Sequence, residues 1–171
     1  LLDAQERVLF TRLGIFVGGC TVDAIEHICA DLNSVASGQP FINAQFSILN
    51  VLESLVDKSL LRQIAAGDGE PRFLMLQTIR EYATDRLIES DEYELLRPAH
   101  ARYFLALAEQ AEPELTGPRQ AEWLARLEGE HDNLRAALGW AREQNAAETA
   151  LRLSAALWRF WYTRGYLSEG R

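Results

Sequence analysis

A chain of 171 residues, 48% hydrophobic and 25% charged, has ordinary globular composition, which excludes intrinsic disorder and allows one large or two small domains. No apolar run approaches the roughly 20 residues of a membrane span, and no basic-then-apolar leader is present, so a cytoplasmic protein without membrane contact is expected. The formal net charge of −8 weighs against general nucleic-acid binding, which needs cations to displace phosphate counterions. Met75 is the only methionine, so the chain is expected to be a piece of a longer protein. Cys20 and Cys29 match neither a zinc knuckle nor a redox pair and are expected to be reduced thiols.

In chain order, Val8, Leu9, Arg12, Leu13 and Phe16 predict a first helix over about Ala4 to Phe16, with Asp3 as N-cap. Gly18-Gly19 breaks it. A second helix is predicted from Thr21, burying Ile25, Ile28, Cys29 and Leu32, and Asn33 to Pro40 reads as a loop. A third helix runs from about Asn43 to Asp57 on Phe46, Leu49, Leu52, Leu55 and Val56. Ser59 to Ile64 and Arg72 to Leu76 read as two strands around Gly67-Asp68-Gly69. A fourth helix is predicted from Ile79, with Thr78 and Glu81 forming a capping box.

Three helices, a β-hairpin and a closing helix make a winged-helix pattern, whose third helix stands where DNA-binding members read the major groove. Between Arg12 and Lys58 there is no cation, while Asp23, Glu26, Asp31, Glu53 and Asp57 are acidic. On charge alone, DNA binding by this piece is not expected and protein packing is preferred. The rival reading, a DNA-binding winged helix, needs a basic surface such as Arg62, Arg72 and Arg80 on the wing.

The polar run Glu89–Glu92 marks the expected boundary between a winged-helix domain, 1–90, and an α-helical domain, 91–171. The second half predicts a helix from near Pro98 to Gln110, with Tyr103, Phe104, Leu107, Ala108 and Ala111 inward. A further helical face follows on Trp123, Leu124, Leu127, His131, Leu134, Leu138 and Ala141. Gly129 predicts a break, with Asp132 or Asn133 capping the restart. A last helix, Ala147 to Thr163, is predicted to bury Leu151, Leu153, Leu157, Trp158 and Trp161 in part, ending at Gly165. Successive antiparallel helices suggest an α-solenoid, and Trp161 with Gly165 match two positions of a tetratricopeptide repeat. The expected fold is therefore mainly α: a winged helix followed by an antiparallel, TPR-like helical array.

Little here carries chemistry. The single Lys-Ser, Lys58-Ser59, lacks the glycines of a phosphate cradle. His27, His100 and His131 form no ligand pair, and His131 in Glu130-His-Asp-Asn133 suits a helix-start hydrogen bond. No catalytic or metal-binding residue and no cofactor is expected in this piece. Trp123, Trp140, Trp158 and Trp161 with Tyr162 suit helix packing, or an open peptide groove around Trp158 and Trp161 in a stand-alone scaffold.

Phe16-Val-Gly-Gly19, Leu52-Glu-Ser-Leu-Val-Asp-Lys-Ser-Leu-Leu61, Arg72-Phe-Leu-Met-Leu-Gln-Thr-Ile-Arg-Glu-Tyr-Ala83 and Glu130-His-Asp-Asn-Leu-Arg-Ala-Ala-Leu138 together resemble bacterial STAND-type regulators, the NB-ARC-like signal-transduction ATPases with numerous domains. The resemblance implies a non-catalytic regulatory fragment of a transcriptional regulator whose parent protein is an ATPase using ATP and ADP. Its partners would be the upstream nucleotide-binding domain of the same chain and a protein or small-molecule effector on the helical region. Met75-Leu76-Gln77 falls where eukaryotic relatives carry Met-His-Asp. Leu76 cannot donate to phosphate, which leaves Gln77 and Arg80 as the candidates near the nucleotide domain.

Overall fold

The computed structural model describes residues 1–29, 48–65 and 70–166. The chain is mainly helical: α1 Ala4–Leu13, α2 Val22–Cys29, α3 Ile48–Asp57, α4 Gln77–Glu89, α5 Tyr93–Ala111, α6 Gln120–Gly129, α7 His131–Glu143 and α8 Ala147–Arg164. The strands are β1 Cys20–Thr21, β2 Arg62–Ala65 and β3 Pro71–Leu74, and a 3-10 turn occupies Glu112–Thr116. Two compact units result, Leu1–Ala65 with Glu70–His100, and a second built from Ala101 onward. The expected loop 33–40, the start of the third helix and the Gly67-Asp68-Gly69 turn lie outside the described residues.

The first unit is the winged helix. Asp3 caps α1, and Asp3 with Glu6 forms a reciprocal capping box. The Glu6 N–H donates to Asp3 Oδ1 at 2.8 Å, and the Asp3 N–H donates to Glu6 Oε2 at 2.7 Å. The helix stops at Leu13, three residues short of Phe16, with Gly14 as its C-cap, and the chain passes directly against α4 there. A Cβ on Gly14 would lie 2.7 Å from the Thr84 nitrogen and 2.8 Å from the Ala83 carbonyl carbon. Thr84 Oγ1 donates to the Gly14 carbonyl across this contact at 2.9 Å. Phe16, Ile25, Ile28, Leu52, Leu55, Leu87 and Leu96 fill the core, each burial stabilising by roughly 1.5–3 kcal/mol.

Two local expectations are corrected and one is refined. Thr21 opens the second helix as its cap, its hydroxyl accepting from the Ala24 N–H at 3.3 Å just ahead of Val22, and it also pairs with Arg72 in β1. The sheet order is β1-β3-β2, antiparallel throughout, with Gln63 opposite Phe73 and Cys20 on its other side. A two-residue strand leaves no periodicity to read. The predicted Thr78–Glu81 capping box does not form. The helix starts earlier, Leu76 is the N-cap without a side-chain cap, and Gln77 Nε2 donates to Glu81 Oε1 at 3.0 Å. Finally, α5 begins at Tyr93 and carries Pro98 inside it; the missing proline N–H removes one bond of the ladder.

In the second unit Phe104, Leu115, Leu127, Leu134 and Phe160 are fully buried. The break at Gly129 is present, but Glu130 takes the N-cap position of α7 in place of Asp132 or Asn133. Asn133 Nδ2 donates to the buried Glu130 carboxylate at 2.8 Å. The His131 ring packs, stacking on Tyr166 at 4.2 Å and meeting Phe160 edge-on at 5.8 Å. Helix α8 buries Leu153, Ala156, Leu157, Phe160 and Trp161, the inward stripe of a 3.6-residue period. That period turns Leu151, Trp158 and Tyr162 outward, at 71%, 50% and 71% exposure, so the expected burial of Leu151 and Trp158 is not found. Trp161 is buried and does not share an open aromatic groove with Trp158. Gly165 closes the helix at φ 82°, where the Tyr166 N–H donates to the Trp161 carbonyl at 2.8 Å.

Gly14→Ala forces α1 away from α4 and is expected to destabilise the first unit by about 1–3 kcal/mol. Urea unfolding followed by circular dichroism measures it; an unchanged midpoint would show that the helices separate freely.

Candidate nucleic-acid interface

In a winged helix, the helix after the turn and the hairpin behind it face the duplex. Here these are α3 and the β2–β3 wing. Ile48, Leu52 and Leu55 bury one side of α3, and this turns Leu49, Asn50, Glu53 and Asp57 to solvent. The exposed stripe is polar and acidic apart from Leu49, which is 46% exposed. Asn50 can donate to and accept from an adenine edge, and Glu53 or Asp57 can accept from the cytosine N4 amino group.

The C-terminal end of α3 is fixed from behind. Ser54 Oγ donates to Glu6 Oε1 at 2.5 Å, and Lys58 Nζ donates to the same oxygen. Glu6 is only 4% exposed. Its carboxyl is held down from 4.5 to about 2, first by the Lys58 hydrogen bond, then by Ser54 and the Asp3 N–H. The chain's one lysine is thereby committed to holding α3 against α1. Ser59 follows in the left-handed region at φ 59°, its N–H donating to the Val56 carbonyl at 2.8 Å, and turns the chain toward β2.

The three wing cations separate once the structure is in hand. Arg62 lies on β2, all four of whose residues are exposed. Arg72 is 5% exposed and works internally. Its Nε donates to the Gly18 carbonyl at 3.2 Å and its Nη2 to the Gly19 carbonyl at 3.1 Å. Gly18 and Gly19 hold φ 77° and 91°, and a Cβ on Gly19 would come within 2.7 Å of the Phe73 carbonyl oxygen. The glycine pair therefore lets the first turn approach β3 closely enough for Arg72 to clamp it. Arg80 is half-buried on α4. The expected basic wing of Arg62, Arg72 and Arg80 reduces to Arg62 as its exposed cation.

Gln77 and Arg80 both stand in the first turn of α4, where Gln77 is exposed and bonded to Glu81. Leu76 beside them is 45% exposed. Among the described residues no three His, Cys, Asp or Glu side chains gather as a metal site, and no helix is long and apolar enough to cross a membrane. The buried Cys29 thiol is pushed up to about 12 by desolvation, the nearby Arg12 only partly opposing this. Sequence reasoning named Asp3 but missed Glu6, although Asp3-Ala-Gln-Glu6 carries the D-x-x-E spacing of a capping box. Nothing in the sequence marks Lys58 or Arg72 as internal.

The model of the winged helix-turn-helix domain matches residues 2–88. This chain belongs to the winged helix-turn-helix family. Proteins from two strains of Mycobacterium tuberculosis and one of Mycobacterium bovis are each 38% identical to it over 172 residues, covering 99% of this chain. Their names describe them as HTH-type transcriptional regulators, and the chain spans 18% of their length. No solved structure matches it. These findings point to DNA binding and overturn the expectation that this piece does not bind DNA. The expectation weighed the lack of cations and the repulsion of phosphate by Glu53 and Asp57, and left base-edge contacts out. Amide and carboxylate side chains can hydrogen-bond base edges, a contact that needs no cation.

The depressed Glu6 pKa sets a pH dependence. Its contribution to stability is complete above about pH 4.5, the ordinary value, and is lost as pH falls toward about 2. In that window the unfolded chain takes a proton that the folded carboxylate refuses. The urea midpoint is therefore expected to fall more steeply from pH 5 to 2 in the wild type than in Glu6→Gln; parallel curves would refute the assignment.

Proposed function

We propose that this chain is the DNA-binding winged helix-turn-helix part of a transcriptional regulator, joined to a helical region, and is not itself an enzyme. The observation that carries this reading is the winged helix-turn-helix match over residues 2–88, the segment that presents α3 and the wing. In this reading α3 enters the major groove, with Asn50 and Glu53 reading bases, while Arg62 on the wing contacts the backbone. In this reading the winged-helix part is 1–90, with the start of α5 through His100 packed in the same compact unit, and the helical part follows.

A finer reading concerns the parent protein. Its support is the sequence resemblance to STAND-type ATPases and the fact that the chain covers only 18% of the length of its relatives. In that reading the parent carries a nucleotide-binding domain, Gln77 and Arg80 lie toward it, and the helical region is the start of a TPR-like sensor array. Nucleotide state would then control when the winged helix is available to DNA.

The test is selection of duplexes from a random library, followed by anisotropy titration at several salt concentrations. A preferred sequence is expected, with a shallow salt slope. Arg62→Gln is expected to reduce that slope by about 0.9 for the phosphate contact it removes. Asn50→Ala is expected to relax preference at one base pair, a loss of about 1–3 kcal/mol of discrimination. Failure to retain any duplex at low salt would overturn the proposal.

A further inference from the structure

A pocket of about 440 Å³ opens between α1 and α4 in the first unit, away from α3 and the wing. Its volume falls within the range of small-molecule sites. Leu2, Val8, Phe10 and Tyr82 supply apolar wall, and Arg7 and Arg86 bring two guanidinium groups to it. Tyr82 is 58% exposed, its ring 6.3 Å from that of buried Phe10, so an apolar ligand body would cover tyrosine surface now in water.

The polar groups are not equally available. Glu92 also lines the pocket, but both its oxygens are taken by Arg12, from Nε at 2.9 Å and Nη2 at 2.7 Å. It therefore offers little to a cationic ligand. Ser90 Oγ already donates to the Leu87 carbonyl at 2.8 Å, and Thr11 Oγ1 to the Arg7 carbonyl at 2.8 Å. Arg7 reaches the Leu2 carbonyl only at 3.4 Å. Arg86 is paired with Glu89 at 2.7 Å, with the two side chains 47% and 58% exposed. Such a surface pair contributes little, and exchanging its carboxylate for that of a ligand costs correspondingly little. Arg86 also sits over the Tyr82 ring, 5.4 Å from its centroid, at the border between apolar wall and solvent.

We infer that this pocket binds an amphipathic organic acid, its hydrocarbon or aryl body against Val8, Phe10 and Tyr82 and its carboxylate on Arg86 and Arg7. The site is independent of the DNA reading, since it uses neither α3 nor the wing. Phenylbutyrate is the probe, with phenylbutanol and phenylbutylamine as neutral and cationic counterparts, titrated calorimetrically into the intact protein. Phenylbutyrate is expected to bind one per chain and more tightly than either counterpart. Arg86→Gln and Arg7→Gln are each expected to weaken it about tenfold, the loss of one charge-assisted hydrogen bond. Both arginines are exposed, so the variants keep the fold, and circular dichroism checks this. Phenylbutanol or phenylbutylamine binding as tightly as the acid would overturn the inference, as would unchanged affinity in both variants. Absence of binding by all three, with Val8 and Tyr82 protected from labelling in the intact protein, would show that another segment covers the pocket, and would overturn it equally.

Discussion

The first unit depends on one guanidinium. Arg12 is 4% exposed and directs its donors to two parts of the chain far apart in sequence. Two go to Glu92, just before α5, and Nη1 donates to the Cys29 carbonyl at the end of α2 at 2.8 Å. One side chain thus ties α2 and the segment just before α5 to α1. The geometry needs arginine, because a lysine could not hold a carboxylate in two places and a carbonyl in a third. Removing Glu92 would leave a buried charge without its counterion, a loss of roughly 3–5 kcal/mol.

Around that anchor the unit spends its cations on itself. Arg72 clamps the Gly18 and Gly19 carbonyls, and Lys58 meets Glu6 behind α3. Each sets the position of a piece of the candidate interface, the wing in one case and the helix in the other. The cost is electrostatic, for those charges are then unavailable to phosphate. What faces outward on α3 is a leucine, an amide and two carboxylates, with Arg62 on the neighbouring strand. In the proposed reading such a surface would depend more on hydrogen bonds to base edges than on counterion release.

The parts legible in the sequence are those written in helical period. Leu52 and Leu55 on α3, or Leu127 and Leu134 across the Gly129 break, announce buried faces by spacing alone. Gly165 announces a helix end because only a left-handed residue closes α8 in this way. Illegible features come from contacts between distant residues. Arg12 and Glu92 are 80 positions apart, and Arg72 meets Gly19 across 53. Nothing local distinguishes Arg72 from exposed Arg62, since the two flank the same hairpin. Thr78 shows the opposite failure. Its Thr-x-x-Glu spacing is a sound cap signal, but α4 starts before it and Gln77 takes the Glu81 carboxylate.

The same distinction explains why net charge misled about DNA. A count of −8 assigns every side chain equal weight, while an interface is felt only through the groups that reach it. Glu6 adds to the count but lies behind α3, neutralised by Lys58. Glu92 adds to it but is closed on Arg12. Paired internally, these acids repel an approaching duplex far less than their number implies, since each carries its counterion with it. The charges that matter are Glu53 and Asp57 on the exposed face of α3 and Arg62 beside it. In the proposed reading a carboxylate in the major groove is favoured where it meets a base amino group, so Glu53 and Asp57 would bias the site toward bases that present one, cytosine N4 above all. An acidic recognition face is in this sense a filter on sequence, and the fold's internal use of its cations is what leaves that filter exposed.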